Sequence, residues 1–178
     1  LKPAYNVQIA VENYFIIHGY VSNDRTDYNT LIPVIRKHID RFGEILKEVT
    51  ADSGYCSEKN LLFLKEHGIE SYIKLQDHEK RKTRAYKEDI GKYYNMSYHV
   101  FEDEHYYVCH DGRELRHIQT ETKKQNGYTQ TFEVYACADC SGCEHKARCL
   151  YKYNPEKDAD KNKLMKINEQ WEELKAAS

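Results

Sequence analysis

Four cysteines, Cys137, Cys140, Cys143 and Cys149, fall within 13 residues, and a fifth, Cys109, ends an earlier strand candidate. Zinc takes four thiolate or imidazole ligands in a tetrahedron, commonly starting from a Cys-x2-Cys knuckle. Cys137 and Cys140 form such a knuckle, and Cys143 and Cys149 follow closely. Five thiols compete for four places, so the set stays open, with His110 and His145 as alternative donors. The x2 intervals also fit an iron–sulfur run, but the last interval is x5 and no proline follows Cys149, which disfavours it. The plain alternative is a reduced, metal-free cluster. Crowding of four cysteines favours structural Zn2+, which would hold a loop region with little apolar core of its own. With no secretory signal in the sequence, a cytoplasmic, reducing compartment is expected, and metal ligation outranks disulfides. Cys56 stands apart and reads as a buried thiol.

The second candidate is Asp52, in Thr50-Ala51-Asp52-Ser53-Gly54-Tyr55. It follows a strand candidate and precedes a helix candidate, the place where α/β sheets present their chemistry. A carboxylate in such a crevice can bind a hard cation, and phosphoryl transfer on DNA uses two Mg2+ or Mn2+ ions bridged by carboxylates. One carboxylate alone holds such an ion weakly. The plain reading is a helix cap or an Asx-turn. Among other acids, Glu12 falls at a hairpin turn, and Asp24 or Asp27 reads as a cap for the next helix.

The elements around these residues are legible in outline. Asn6 to Val11 alternates, with Val7, Ile9 and Val11 on one strand face, and Tyr14 to Val21 reads as its antiparallel partner across a turn at Asn13. Leu31, Val34, Ile35, Ile39 and Phe42 predict a helix that holds Pro33 in its first turns and stops at Gly43. Ile45 to Thr50 predicts a strand, Ser57 caps a helix through Lys65 closed by Gly68, and Ile69 to Leu75 returns as a strand. That succession is a βαβ crossover, parallel and right-handed, within a mixed sheet. After Leu75 the texture becomes charged and Tyr-rich. Tyr98 to Cys109, Glu114 to Thr120 and Phe132 to Ala136 predict strands, with a turn at Asp111-Gly112. Lys161 to Ala177 predicts a helix with Leu164, Ile167, Trp171 and Leu174 on one face. The expected domains are residues 1–75 as an α/β core, 76–155 as an insertion with the cysteine cluster, and 156–178 as a helix leading back to the core.

At 178 residues, 40% hydrophobic and 31% charged, the chain suits one core plus a satellite. No apolar run approaches the roughly 20 residues of a membrane helix. The net charge of −2 carries no basic footprint of duplex binding. The run Lys80-Arg81-Lys82-Thr83-Arg84 reads as a solvated surface. The chain opens at Leu1 without an initiator Met and stops within a helical pattern, so it reads as an internal piece of a longer protein.

The combined order of motifs resembles the DDE-type insertion-sequence transposases. It comprises Tyr5-Asn6-Val7-Gln8-Ile9-Ala10-Val11-Glu12, Asn23-Asp24 before Leu31-Ile32-Pro33, Thr50 to Tyr55, then Asn60 and Gly68-Ile69. Tyr107-Val108-Cys109-x2-Gly112 and the Cys137 to Cys149 cluster point to the branch with a Cys-rich insertion between the second and third acidic residues. The resemblance implies an RNase H-like fold, here a partial mixed sheet with flanking helices plus a small β-rich, Cys-containing insertion domain. It makes Asp52 the second acidic residue. The first belongs to an Asp-Gly-Thr motif upstream of Tyr5, and the final Glu lies after Ser178, so two of three catalytic carboxylates would be outside this sequence. It implies metal-dependent DNA cleavage and strand transfer, with Mg2+ or Mn2+ as cofactor, DNA ends and target as partners, and a homo-oligomer at work. The isolated chain is expected to be inactive. The competing readings are a zinc-stabilised DNA- or protein-binding module and an inactive remnant of a mobile element.

Overall fold

The computed structural model describes residues 4–125 and 127–177. The chain divides into two compact units, Leu1–His78 with Trp171–Ser178, and Glu79–Gln170.

The first unit opens with a hairpin of β1 (Asn6–Glu12) and β2 (Phe15–Ser22). Its turn is Asn13-Tyr14, both at positive φ (48° and 69°), the geometry that matches the twist of two-residue hairpins. Glu12 thus ends a strand at a turn and is exposed. Val7, Ile9 and Val11 do share a face, but it is the exposed one, and the alternate face carrying Asn6, Gln8 and Ala10 turns inward. The helix α1 (Leu31–Phe42) accommodates Pro33 in its first turn, where no i−4 hydrogen bond is lost. It ends at Gly43 with φ 72°. β3 (Glu48–Ala51), α2 (Glu58–Glu66) and β4 (Glu70–Ile73) form the expected parallel crossover. Ser57 Oγ accepts from the Asn60 backbone N–H and so caps α2.

The single mixed sheet expected over these residues is instead two separate ladders, β1–β2 and β3–β4. A cavity of about 560 Å3 lies between Gln8–Glu12 of β1 and Glu48–Ala51 of β3, floored by Leu31, Val34, Ile35 and His38 of α1. The core of this unit is Leu31, Ile32, Ile35, Cys56, Leu61, Phe63, Leu64, Ile69, Ile73 and Leu174, with Trp171 packed against it. Burying Leu64 completely is worth about 2 kcal/mol or more.

The second unit begins with short turns, α3 (His78–Arg81) and α4 (Arg84–Lys87). Five strands follow, β5 (Ser97–Phe101), β6 (Glu104–Val108), β7 (Glu114–Gln125), β8 (Tyr128–Cys137) and β9 (Leu164–Ile167), each paired antiparallel with the next. The stretch predicted as one strand from Tyr98 to Cys109 is a hairpin, β5 (Ser97–Phe101) and β6 (Glu104–Val108). Glu102 at φ 54° breaks it, because polar Glu102-Asp103 favours a turn over extension. β7 (Glu114–Gln125) and β8 (Tyr128–Cys137) are longer than their apolar stretches suggest. Cross-strand pairing extends the ladder through polar residues. The short helix α5 (Lys146–Cys149) lies within the cysteine cluster.

The predicted helix from Lys161 to Ala177 is wrong in its first half. Leu164–Ile167 is β9, paired antiparallel with β8, and only Glu169–Ala176 is helix, α6. Leu164, Ile167, Trp171 and Leu174 mimic a helical period, yet Met165 and Ile167 are buried while Leu164 and Lys166 are exposed, a period of two. The free edge of β8 offered hydrogen bonds that a helix at this position would have forfeited.

Candidate functional site

Asp52 follows β3 directly and is exposed. Its carboxylate accepts from the Gly54 backbone N–H at 2.7 Å, capping a 3-10 turn at Ser53–Tyr55. The capping role and a role in chemistry are compatible, because one oxygen lone pair on one face is spent and the rest faces solvent.

Asp27 stands beside it. A side chain built on Gly54 would begin 2.9 Å from Asp27 Oδ2 and 2.9 Å from Asp52 Oδ1. The two carboxylates therefore converge on one glycine, and these oxygens cannot be further apart than twice that distance. Asp27 does not cap α1 with its side chain; that helix begins at Thr30 without a side-chain cap. Instead Asp27 Oδ1 accepts from Asn6 Nδ2 at 2.9 Å and from Gln8 Nε2 at 2.8 Å. Gln8 also donates to Asn6 Oδ1 at 2.6 Å and accepts from the Tyr55 hydroxyl. Burial, with the charges of Asp27 and then Asp52 behind it, pushes the Tyr55 phenol above its ordinary range, so it stays a donor. Asp24 binds Ser22 Oγ and the Asn29 amide and is not a helix cap either.

Two further side chains lock the turns together. Asn60, fully buried on α2, donates from Nδ2 to the Tyr28 carbonyl at 3.0 Å and to the Tyr55 carbonyl at 2.8 Å. Gln76 donates to the Ser53 carbonyl and to the Tyr28 hydroxyl. The turn bearing Asp27 (Asp27–Asn29) and the turn after Asp52 are thereby held on one buried amide. The sequence placed Asn6, Gln8 and Asn60 in motifs without a physical role. Their signal was the polar alternation on a strand whose other face is aliphatic.

In the second unit, Cys109, Cys137, Cys140, Cys143 and Cys149 all line one pocket of about 20 Å3, together with Arg113, Lys146, Lys163 and Leu150. That is room for about one water molecule. Local backbone builds the ring: Gly112 N–H returns to the Cys109 carbonyl at 2.9 Å, and Cys143 N–H to the Cys140 carbonyl at 3.4 Å. Lys163 N–H donates to Cys140 Sγ at 3.3 Å. Burial, followed by the Cys140 side chain, pushes the Cys137 thiol up to about 11, and burial raises Cys149 as well. Burial pushes Lys163 down. All six cysteines are free thiols. Among the described residues, no group of three or more His, Cys, Asp or Glu is arranged to hold a metal ion. His110 and His145 pack edge to face at 4.7 Å and do not line the pocket. Cys56 is buried in the first core.

The basic run near residue 80 is partly neutralised: Lys82 pairs with Glu79 at 3.2 Å and Arg84 with Glu88 at 2.8 Å. Among the described residues no helix is long and apolar enough to cross a membrane.

Residues 108–178 match the family model for the transposase DDE domain. Over that stretch the chain is similar to DDE-type transposases. Comparison with curated proteins and with solved structures returned no match.

Proposed function

We propose that this chain belongs to an enzyme that cleaves DNA and joins the freed 3′ hydroxyl to a target, with Asp52 as one of its metal-binding carboxylates. The observation that carries the reading is the exposed Asp52 carboxylate at the carboxyl end of parallel strand β3. An RNase H-like core is supported by the edges of β1 and β3 on one cavity, which carry no further partner strand among the described residues. A strand bearing the first acid of the resemblance would pair with both. Mg2+ or Mn2+, when bound, would stabilise charge on the attacking and leaving oxygens. Asp52 would hold it with acids that the resemblance puts before Tyr5 and after Ser178. The isolated chain is then inactive and binds Mn2+ weakly. DNA is the partner that a transposase family implies, and the working form would be a homo-oligomer.

The test is strand transfer by a transposase containing this chain. Asp52→Ala should abolish product while DNA affinity stays within about twofold, since the carboxylate would hold the catalytic cation and not the DNA itself. Strand transfer at the original rate by that variant would end the proposal.

For the second unit we propose structural Zn2+, held by four of Cys109, Cys137, Cys140, Cys143 and Cys149. Support comes from five thiols on one single-atom-sized pocket. Arg113, Lys146 and Lys163 around it would offset the charge of a tetrathiolate site. Binding requires the sulfurs to converge from where they lie, and it requires thiols to lose their protons, so affinity should rise with pH. Elemental analysis should find one zinc per chain, and chelator should unfold Glu79–Gln170. A metal-free protein that is unchanged by chelator would eliminate this reading.

A further inference from the structure

We propose that Asp27 is a positioning residue, acting through Gln8 and Tyr55 to fix the carboxylate of Asp52. The inference deepens the proposed function and rests on Asp52 being its metal-binding acid.

Asp27 spends Oδ1 on two amides, those of Asn6 and Gln8. Gln8 is 7% exposed and its amide is satisfied at both ends, by Asn6 and Asp27 on nitrogen and by Tyr55 on oxygen. A buried amide that loses one partner keeps the desolvation cost of that group, so the network forms as a unit. Tyr55 closes the turn that Asp52 caps, so the chain of bonds runs from Asp27 through Gln8 to the Asp52 turn. Asp27 Oδ2 and Asp52 Oδ1 meanwhile both lie 2.9 Å from where a side chain on Gly54 would begin, so both carboxylates crowd that one position. Only a glycine fits there without displacing a carboxylate, and its N–H is directed onto Asp52 at 2.7 Å. Asp27 also belongs to a rigid frame: Thr30 N–H and Thr30 Oγ1 both donate to its carbonyl, at 3.0 and 2.9 Å. Thr30 itself is fully buried.

The experiment has two arms. In this chain, amide hydrogen exchange is measured by NMR for Asp27→Ala and Asp27→Asn. The Ala variant should accelerate exchange at Gly54 about tenfold while Ile35 and Leu64 stay within about threefold, since local opening leaves core amides untouched. The Asn variant keeps an oxygen acceptor for the two amides and should restore Gly54 protection. An unchanged Gly54 rate, or equal acceleration of Gly54 and the core, overturns the proposal. In a transposase containing the chain, Asp27→Ala should lower the strand-transfer turnover about tenfold or more with DNA affinity unchanged, the scale expected when a reacting group is misplaced by about an ångström. The Asn variant should recover most of it. Full turnover by Asp27→Ala refutes the positioning role. Full turnover by Asp52→Ala refutes the transposase reading instead, and leaves the exchange result standing.

Discussion

The carboxylates of Asp27 and Asp52 converge on Gly54, each with an oxygen 2.9 Å from where a side chain on that glycine would begin. They are 25 positions apart in the chain and come from turns on different elements. Gly54→Ala should therefore displace one or both carboxylates, which are side-chain ends and can swing away, and leave the backbone in place. The urea midpoint is expected to fall by the equivalent of about 1 kcal/mol or more if Asp27 is the carboxylate displaced, since its bonds to the Asn6 and Gln8 amides are then weakened, while strand transfer falls about tenfold or more. Wild-type transfer would show that this spacing does not matter.

Asn60 offers a stability test of the same frame. Its Nδ2 serves two backbone carbonyls, and Asn60→Ala leaves both without that donor, for about 2 kcal/mol or more. Asn60→Asp has the same shape but no donor at neutral pH, so it should destabilise at least as much. Trp171 is the only tryptophan and packs against the first core, so its fluorescence in urea follows this unit. A near-neutral Asn60→Asp would mean that volume, not hydrogen bonding, is what matters at this position.

His18 makes the first unit acid-sensitive. It is 6% exposed, bonds the Val34 carbonyl through Nε2 at 3.0 Å, and leaves Nδ1 without a partner. Burial, then the charges of His38, Lys37 and Arg41, pushes its pKa below the ordinary 6.5. The unfolded chain consequently binds the proton more readily than the folded one. Its contribution to stability is complete above pH 6.5 and declines as pH falls from there through the lower folded value. The urea midpoint reported by Trp171 should drop between pH 7.5 and 5.5, and His18→Leu should flatten the decline. A flat profile in the original protein contradicts this account.

Gly91 is a test of the second unit. A side chain there would collide with the backbone carbonyl of Cys149. A backbone atom cannot swing aside as a carboxylate can, so Gly91→Ala should cost about 1–3 kcal/mol. Faster amide exchange is expected at Leu115 and Val134, which are fully buried, with Ile35 and Leu64 unaffected. Unchanged exchange at Leu115 would mean that the Cys149 loop yields freely.

Local patterns settled much of this protein. The Leu31–Phe42 period, Gly43, the Ser57 cap and the β3–α2–β4 crossover follow from side-chain spacing and turn chemistry, which act within a few residues. The position of Asp52 at a strand end is legible for the same reason. What spacing alone could not decide was partnership. Leu164 to Ile167 satisfies a helical and a strand period at once, and only the open edge of β8 resolves it. Val7, Ile9 and Val11 mark one face of β1, but which face turns inward depends on Asp27 and Tyr55, distant in the chain, bonding the amides of Asn6 and Gln8. The crowding of thiols was likewise visible locally, whereas the arrival of Lys163 from the start of β9 was not. Periodicity encodes what each segment can bury; the tertiary fold determines which polar groups meet, because a hydrogen bond needs its two ends in one place.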